Sequence, residues 1–240
     1  MRSRKTPAAG FTLTELLVVI VIIATLASLS FLAVSRAREA AKKATSVSNM
    51  RQIGSLLATY ASDNSNRFPA PRADVLQANG SYTQLHWFEA LVQMVYPTLE
   101  SKDWQKIEWW KQTKPVLRNP IIDQVLGSSS REWWLQGYAF NQQCIVNINP
   151  EGYSTDWTAG KNGRQTYAIP LARIPEPHRT PIIAPRRDWI FKFTPAELAD
   201  PELKQFLIDK KLNILFFDGH VEPISPKEYT QRLLTEMPRK

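Results

Sequence analysis

The run GFTLTELLVVIVIIATLASLSFLAV, residues 10–34, contains a single charged side chain, Glu15. As a helix, the 24 residues from Phe11 to Val34 extend about 36 Å, enough to cross a hydrocarbon core of about 30 Å. A short basic leader, MRSRKTPAAG, precedes the run, and a mostly polar chain follows it to Lys240. The N-terminal part therefore reads as a membrane anchor. A carboxylate inside lipid costs several kcal/mol unless it is paired, so Glu15 needs a functional explanation. The plain structural alternative is a carboxylate at the interface that reaches back to water.

Two other readings fit less well. A secretory signal has an apolar region of about 7 to 15 residues followed by a small-residue cleavage site, and this run is longer. An ordinary signal anchor fits the length but leaves Glu15 and the Gly10-Phe11 junction unexplained. Charge counting does not orient the segment. Arg2, Arg4 and Lys5 precede it, and Arg36, Arg38, Lys42 and Lys43 follow it, so the excess of cations on one side is too small to decide.

Gly10-Phe11-Thr12-Leu13-Thr14-Glu15-Leu16-Leu17-Val18-Val19 resembles the processing motif of type IV prepilins and type II secretion pseudopilins. The resemblance implies cleavage between Gly10 and Phe11 by a prepilin peptidase, with N-methylation of Phe11. It places Glu15 fifth in the mature chain, where it would dock each subunit on its neighbour. It also implies a single-pass inner-membrane protein with a cytoplasmic leader and a body in the periplasm or outside. The partners it implies are the peptidase, the membrane and other pilin-like subunits. Physical reasoning agrees. Cleavage creates an α-amino group that Glu15 of the same helix cannot easily reach, whereas a neighbouring helix shifted along the axis can present its own. Repeated, that head-to-tail contact does not close and builds a filament.

From Arg36 onward, Ala37, Ala40, Ala44, Val47, Met50, Ile53, Leu57 and Tyr60 recur every three or four residues, an amphipathic stripe. No proline interrupts the segment, so one helix of about 75 Å is expected from Phe11 to Ala61, with Gly54 as a weak point. The small residues Ala37 to Ala44 suit close packing, on the body or between subunits. Asp63-Asn64-Ser65-Asn66 ends the helix, and Arg67-Phe68-Pro69-Ala70-Pro71 reads as a linker. The organisation is thus a leader at 1–10, a transmembrane helix at 11–34, a stalk helix at 35–62 and an α+β body at 63–240. The expected fold is a long N-terminal helix on a body with a small antiparallel sheet.

Within the body, helices are expected over Gln84–Val95 and Ser101–Lys111, strands over Tyr138–Asn147 and Pro181–Ala184, and a long loop over Asn149–Asn162. Thr194-Pro195-Ala196-Glu197 and Ser225-Pro226-Lys227-Glu228 read as capping boxes, the second opening a final helix to about Met237. Asn213–Phe217 reads as a strand leading into Asp218-Gly219, a two-residue hairpin signal. His220–Ile224 is the return strand, confined to a sheet edge by Pro223. The phrase NILFFDGHVE, with Asp218, Gly219 and His220, also resembles a C-terminal hairpin of a bacterial pilin-like subgroup.

The net charge of +8 falls to +5 without the leader. No basic stripe interleaved with aromatics and no nucleic-acid motif appears, so nucleic acid is not an expected partner. A single cysteine, Cys144, excludes an intrachain disulfide and reads as a small buried residue. His86, His178 and His220 lack metal-ligand spacing. The resemblance admits calcium near Asp218 and Asp156, but no run of closely spaced acids supports it. No nucleophile elbow or phosphate loop appears, so no enzyme and no cofactor are expected. Eight tryptophans are present. Trp109-Trp110 and Trp133-Trp134 are either core or an exposed aromatic platform for a sugar or protein.

Overall fold

The computed structural model describes residues 12–76, 82–99, 106–113, 116–122, 136–141, 169–174, 176–188, 190–191, 201–208, 210–225 and 227–228. The chain divides into two compact units, Met1–Lys42 and Lys43–Lys240. Helix α1 runs unbroken through Leu13–Asp63, matching the expected single helix. Its first half leaves large apolar side chains exposed, from Leu13 to Val34. Thr25, Ser28 and Ser30 turn their hydroxyls onto the helix's own carbonyls at Ile22, Ala24 and Leu26 (2.7–2.8 Å). This back-bonding lets hydroxyls sit in an apolar medium without unmet hydrogen bonds.

The second half of α1 belongs to the body. Met50, Ile53, Leu57 and Ala61 are buried, and each of the three larger side chains contributes about 1.5–3 kcal/mol. The small residues of the stripe nearer the N-terminus, Ala37, Ala40 and Ala44, are exposed. The helix stops where expected. Ser65 and Asn66 adopt positive φ, and Asn66 donates its N–H to the Ala61 carbonyl.

The expected linker is part of the core. Strand β1, Arg67–Phe68, pairs antiparallel with β5, Ile169–Pro170. Phe68 and Ala70 are buried, and the Phe68 ring lies 5.2 Å from Phe217. Strands β2, Arg72–Leu76, and β3, Tyr82–His86, form an antiparallel pair. Gln84 and Leu85 are thus strand residues, and helix α2 covers only Trp87–Val95. Helix α3 spans Ile107–Thr113; of the expected helix, Ser101 to Gln105 lie outside the described residues.

A five-stranded sheet has the order β7-β4-β6-β8-β9. Its strands are β4 (Tyr138–Asn141), β6 (Pro181–Pro185), β7 (Ile190–Phe191), β8 (Leu212–Phe216) and β9 (Val221–Ile224). Neighbours are antiparallel except β4 and β7, which are parallel. The sheet buries both faces. Tyr138, Phe140, Ile183 and Leu215 join α1, α2 and α3 in one core, while Ala139, Ala184, Ile214 and Phe216 join a second with Ile122 and Leu203 and Phe206 of a 3-10 turn, Pro201–Phe206. Two-sided burial explains why PIIAP, and LNILF from Ile214 onward, run apolar without alternation. Pro223 sits on the edge strand, as expected. Ser225 and Glu228 close a capping box. The Tyr138 strand is described only to Asn141, and the expected features at Cys144, Asn149–Asn162, Thr194–Glu197 and the end of the last helix lie outside the described residues.

Gly54 is a close-approach site rather than a weak point. A Cβ there would lie 3.0 Å from Leu215 Cδ1 and 3.5 Å from Gly219 Cα. We expect Gly54→Leu to lower body stability by roughly 1–3 kcal/mol through overpacking. Gly54→Ala should be near neutral, because about 1 kcal/mol of helix propensity offsets the tight contact. Thermal unfolding followed by circular dichroism checks the order, and equal melting for both variants contradicts the close approach.

Candidate functional site

The N-terminal element is a reciprocal cap. Thr12 donates its backbone N–H (2.8 Å) and its hydroxyl (2.7 Å) to Glu15 Oε2, and Glu15 N–H returns a bond to Thr12 Oγ1 (3.3 Å). Thr12-x-x-Glu15 is a capping box that serves helix N–H groups otherwise lacking partners, and the carboxylate sits at the positive end of the helix dipole. The Thr12-x-x-Glu15 spacing is present in the sequence, and the local cap adds to the two expectations for Glu15, an outside partner or an interfacial carboxylate. Both local bonds fall on one oxygen, Oε2. Gly10 and Phe11, the expected processing junction, lie outside the described residues.

The C-terminal element is the Asp218-Gly219-His220 hairpin. Gly219 N–H bonds the Phe216 carbonyl and Phe216 N–H bonds the His220 carbonyl, both at 3.0 Å. The loop therefore holds three residues, Phe217 to Gly219, rather than the two expected. Gly219 at φ +90° takes the left-handed position that a three-residue hairpin demands. Asp218 Oδ1 accepts from the His220 backbone N–H (3.1 Å) and lies 2.5 Å from His220 Nδ1. The imidazole stacks on Phe216 at 4.4 Å, and Glu222 stands 3.8 Å from Nε2. Asp218 thus rigidifies the loop that abuts Gly54 of α1. Among the described residues, no three His, Cys, Asp or Glu side chains gather as a metal would need; Asp156 lies outside them. His178 is exposed on a turn, and His86 caps α2 beside Glu89, whose Oε2 is 2.8 Å from His86 Nδ1.

The aromatic platform is corrected at Trp110. Trp110 is fully buried, edge-on to Phe88 (6.0 Å) and to Trp109 (5.0 Å). Trp109 is half-buried against Tyr96 (5.4 Å). The helical turn between adjacent positions sends Trp110 inward and leaves Trp109 on the rim. Trp133 and Trp134 lie outside the described residues.

A polar cluster unforeseen from the sequence anchors α1 where it joins the body. Tyr138 Oη donates to the Ser46 carbonyl (3.1 Å), Ser46 Oγ lies 3.3 Å from the same oxygen, and Asn49 Nδ2 donates to the Arg118 carbonyl (3.3 Å). Arg118 Nη1 donates to Gln136 Oε1 (3.3 Å). Burial pushes the Tyr138 hydroxyl well above the usual tyrosine range, against the opposing effect of its Ser46 and Asn49 hydrogen bonds. Burial also raises Tyr60. Ser46 and Asn49 lie one turn apart on α1, a spacing that on its own reads as a solvated face.

Residues 5–31 match the family model of the prokaryotic N-terminal methylation motif. That motif supports a type IV pilin-like protein with a single apolar anchor helix, and it implies processing by a prepilin peptidase and assembly with other pilin subunits. No curated protein and no solved structure matches the chain.

Because the folded Tyr138 pKa is raised, its stabilising effect is complete below the unfolded value of about 10 and is lost as pH rises above it. We expect stability to fall steeply above about pH 10. Tyr138→Phe should cost about 1 kcal/mol at neutral pH and flatten that alkaline slope, with Tyr60 retaining part of it. Urea unfolding of both proteins across that range checks this, and an unchanged slope contradicts it.

Proposed function

We propose that this chain is the precursor of a pilin-like structural subunit of the pseudopilin kind, working in a type II secretion machine or a related type IV pilus-like filament. The observation that carries this reading is the methylation-motif match at residues 5–31, with Gly10, Phe11 and Glu15 in register. It heads an uninterrupted 51-residue helix whose second half is built into an α+β body. Peptidase cleavage after Gly10 frees the Phe11 amine, which is then methylated. The helix leaves the bilayer sideways and upward, Glu15 docks on the neighbouring subunit's amine, and the body carries the function-specific surface. The work is mechanical, and no catalytic step is assigned.

The second reading is a minor tip subunit that binds carbohydrate or a secreted protein through aromatic side chains. Burial of Trp110 removes that ring from the surface, so this reading depends on Trp109 at the rim and on Trp133 and Trp134. The filament reading is preferred because it uses Glu15 and the helix directly.

Glu15→Ala should insert and be cleaved, yet assemble about a hundredfold less well, because removing one partner of a desolvated pair costs roughly 3 kcal/mol. Microscopy of filaments and cross-linking of subunits report this, and normal assembly of the variant removes the docking role. Replacement of Gly10 with a bulky residue should block processing. Mass spectrometry should then find the ten-residue leader retained; a mature chain beginning at methylated Phe11 in that variant contradicts the assigned cut.

A further inference from the structure

Immediately beyond the apolar run, Ser35 to Thr45 holds Arg36, Arg38, Lys42 and Lys43 against one acid, Glu39. We propose that these four cations form a basic collar that binds the phosphate groups of anionic phospholipids where α1 leaves the bilayer. The proposal rests on the membrane-anchored reading above and deepens it.

Position is the first support. A rise of 1.5 Å per residue puts Arg36 about 3 Å and Lys43 about 13 Å past Val34 along the helix. The headgroup layer of one leaflet is about 5–8 Å thick. Helical Cα–Cβ bonds tilt toward the N-terminus, and long basic side chains carry their charge several ångströms along their stems. All four cations therefore lean back toward the bilayer, and those beginning above the headgroups reach down to them.

Arrangement is the second. At about 100° per residue, Arg36 and Lys43 fall within about 20° of each other around the helix, and Arg38 and Lys42 within about 40° of each other, about 130° around from the first pair. Two pairs on different faces make a collar with places for two phosphates. Glu39 projects about 40° from Lys43 and about 60° from both Arg36 and Lys42, so one acid offsets only part of the charge of the four cations. Arg36 and Arg38 are exposed, Lys42 and Lys43 half-exposed. Among the described side chains of α1, the first one buried is Ser46, beyond the collar.

Charge complementarity selects the occupant. Between Leu16 and Ser62 the only acid is Glu39. A second copy of the helix at this level would bring four more cations and one acid, so parallel packing of copies adds repulsion that lipid phosphates neutralise. Each cation near an anionic surface strengthens binding about fivefold.

The test uses the purified full-length protein in neutral detergent, titrated with phosphatidylglycerol, phosphatidylcholine or inorganic phosphate and read by native mass spectrometry. Retained phosphatidylglycerol is expected on the wild type, with little phosphatidylcholine. Combined Arg36→Gln, Arg38→Gln, Lys42→Gln and Lys43→Gln should cut that retention at least tenfold, while Arg36→Lys with Arg38→Lys should keep most of it. Equal retention by wild type and the Gln variant overturns the collar. So does equal retention of the two lipids, or displacement of phosphatidylglycerol by millimolar phosphate. A lipid-free dimer lost only in the Gln variant also overturns it, by assigning the cations to acids of another copy. Alkaline carbonate extraction separates the two levels: if only the collar fails, wild type and variant both stay in the membrane pellet, whereas release of both denies the anchor itself.

Discussion

Burial of one stripe of α1 is the contact on which the body is built. Met50, Ile53, Leu57 and Ala61 share a core with Trp87, Phe88 and Leu91 of α2 and with Tyr138, Phe140, Ile183 and Leu215 of the sheet. The second half of α1 is rich in Ser, Thr, Asn and Gln, residues with modest helix propensity, so it owes its order largely to this packing. The dependence is mutual, because without the helix one face of the sheet would present its large apolar side chains to water. That is why the compact body begins at Lys43 rather than at the helix end near Asp63.

The hairpin at Asp218 shows how a turn can serve distant packing. Its register is fixed by the pairing of Phe216 with His220, which leaves three residues in the loop and makes positive φ necessary at Gly219. The loop then lies within van der Waals distance of α1 at position 54, where the Leu215 side chain leaves little room for anything larger than a methyl group. Two glycines separated by 165 positions therefore meet at one contact. The sequence marks Gly219 as a turn, since its chemistry is local. It cannot mark Gly54 as anything but a weak helix former, because the reason for it lies in another part of the chain.

The same distinction between local and distant causes separates what was legible from what was not. The α1 span, its end at Asp63, the apolar strands PIIAP and LNILF, and the Ser225 cap follow from periodicity, turn residues or capping. The short β1–β5 pair has no period to detect, and Arg67-Phe68 reads as a linker because Pro69 and Pro71 follow it. At the start of α2, Leu85 and Phe88 stand at helical spacing although they belong to different elements. The mark of that boundary is His86-x-x-Glu89, where a histidine takes the place of the usual Ser or Thr cap. Trp110 illustrates a further limit: adjacent aromatics suggest exposure only if both must face the same way, and a T-shaped contact lets one be buried while the other seals the rim.

Glu15 combines both kinds of cause at one carboxylate. Within its own chain it bonds Thr12 through Oε2, an arrangement typically worth about 1 kcal/mol to a helix start. A carboxylate so held carries less of the desolvation cost than a bare one, which makes a solitary subunit tolerable in the membrane before assembly. In the proposed filament, the amine of a neighbour must compete with, or add to, that local cap. If it displaces Thr12, the net drive for docking is the intermolecular pair less the cap; if it approaches through Oε1, the cap persists and orients the carboxylate for its partner. Placement of both local bonds on Oε2 favours the second route, in which Thr12 would orient Glu15 for the proposed partner without consuming it.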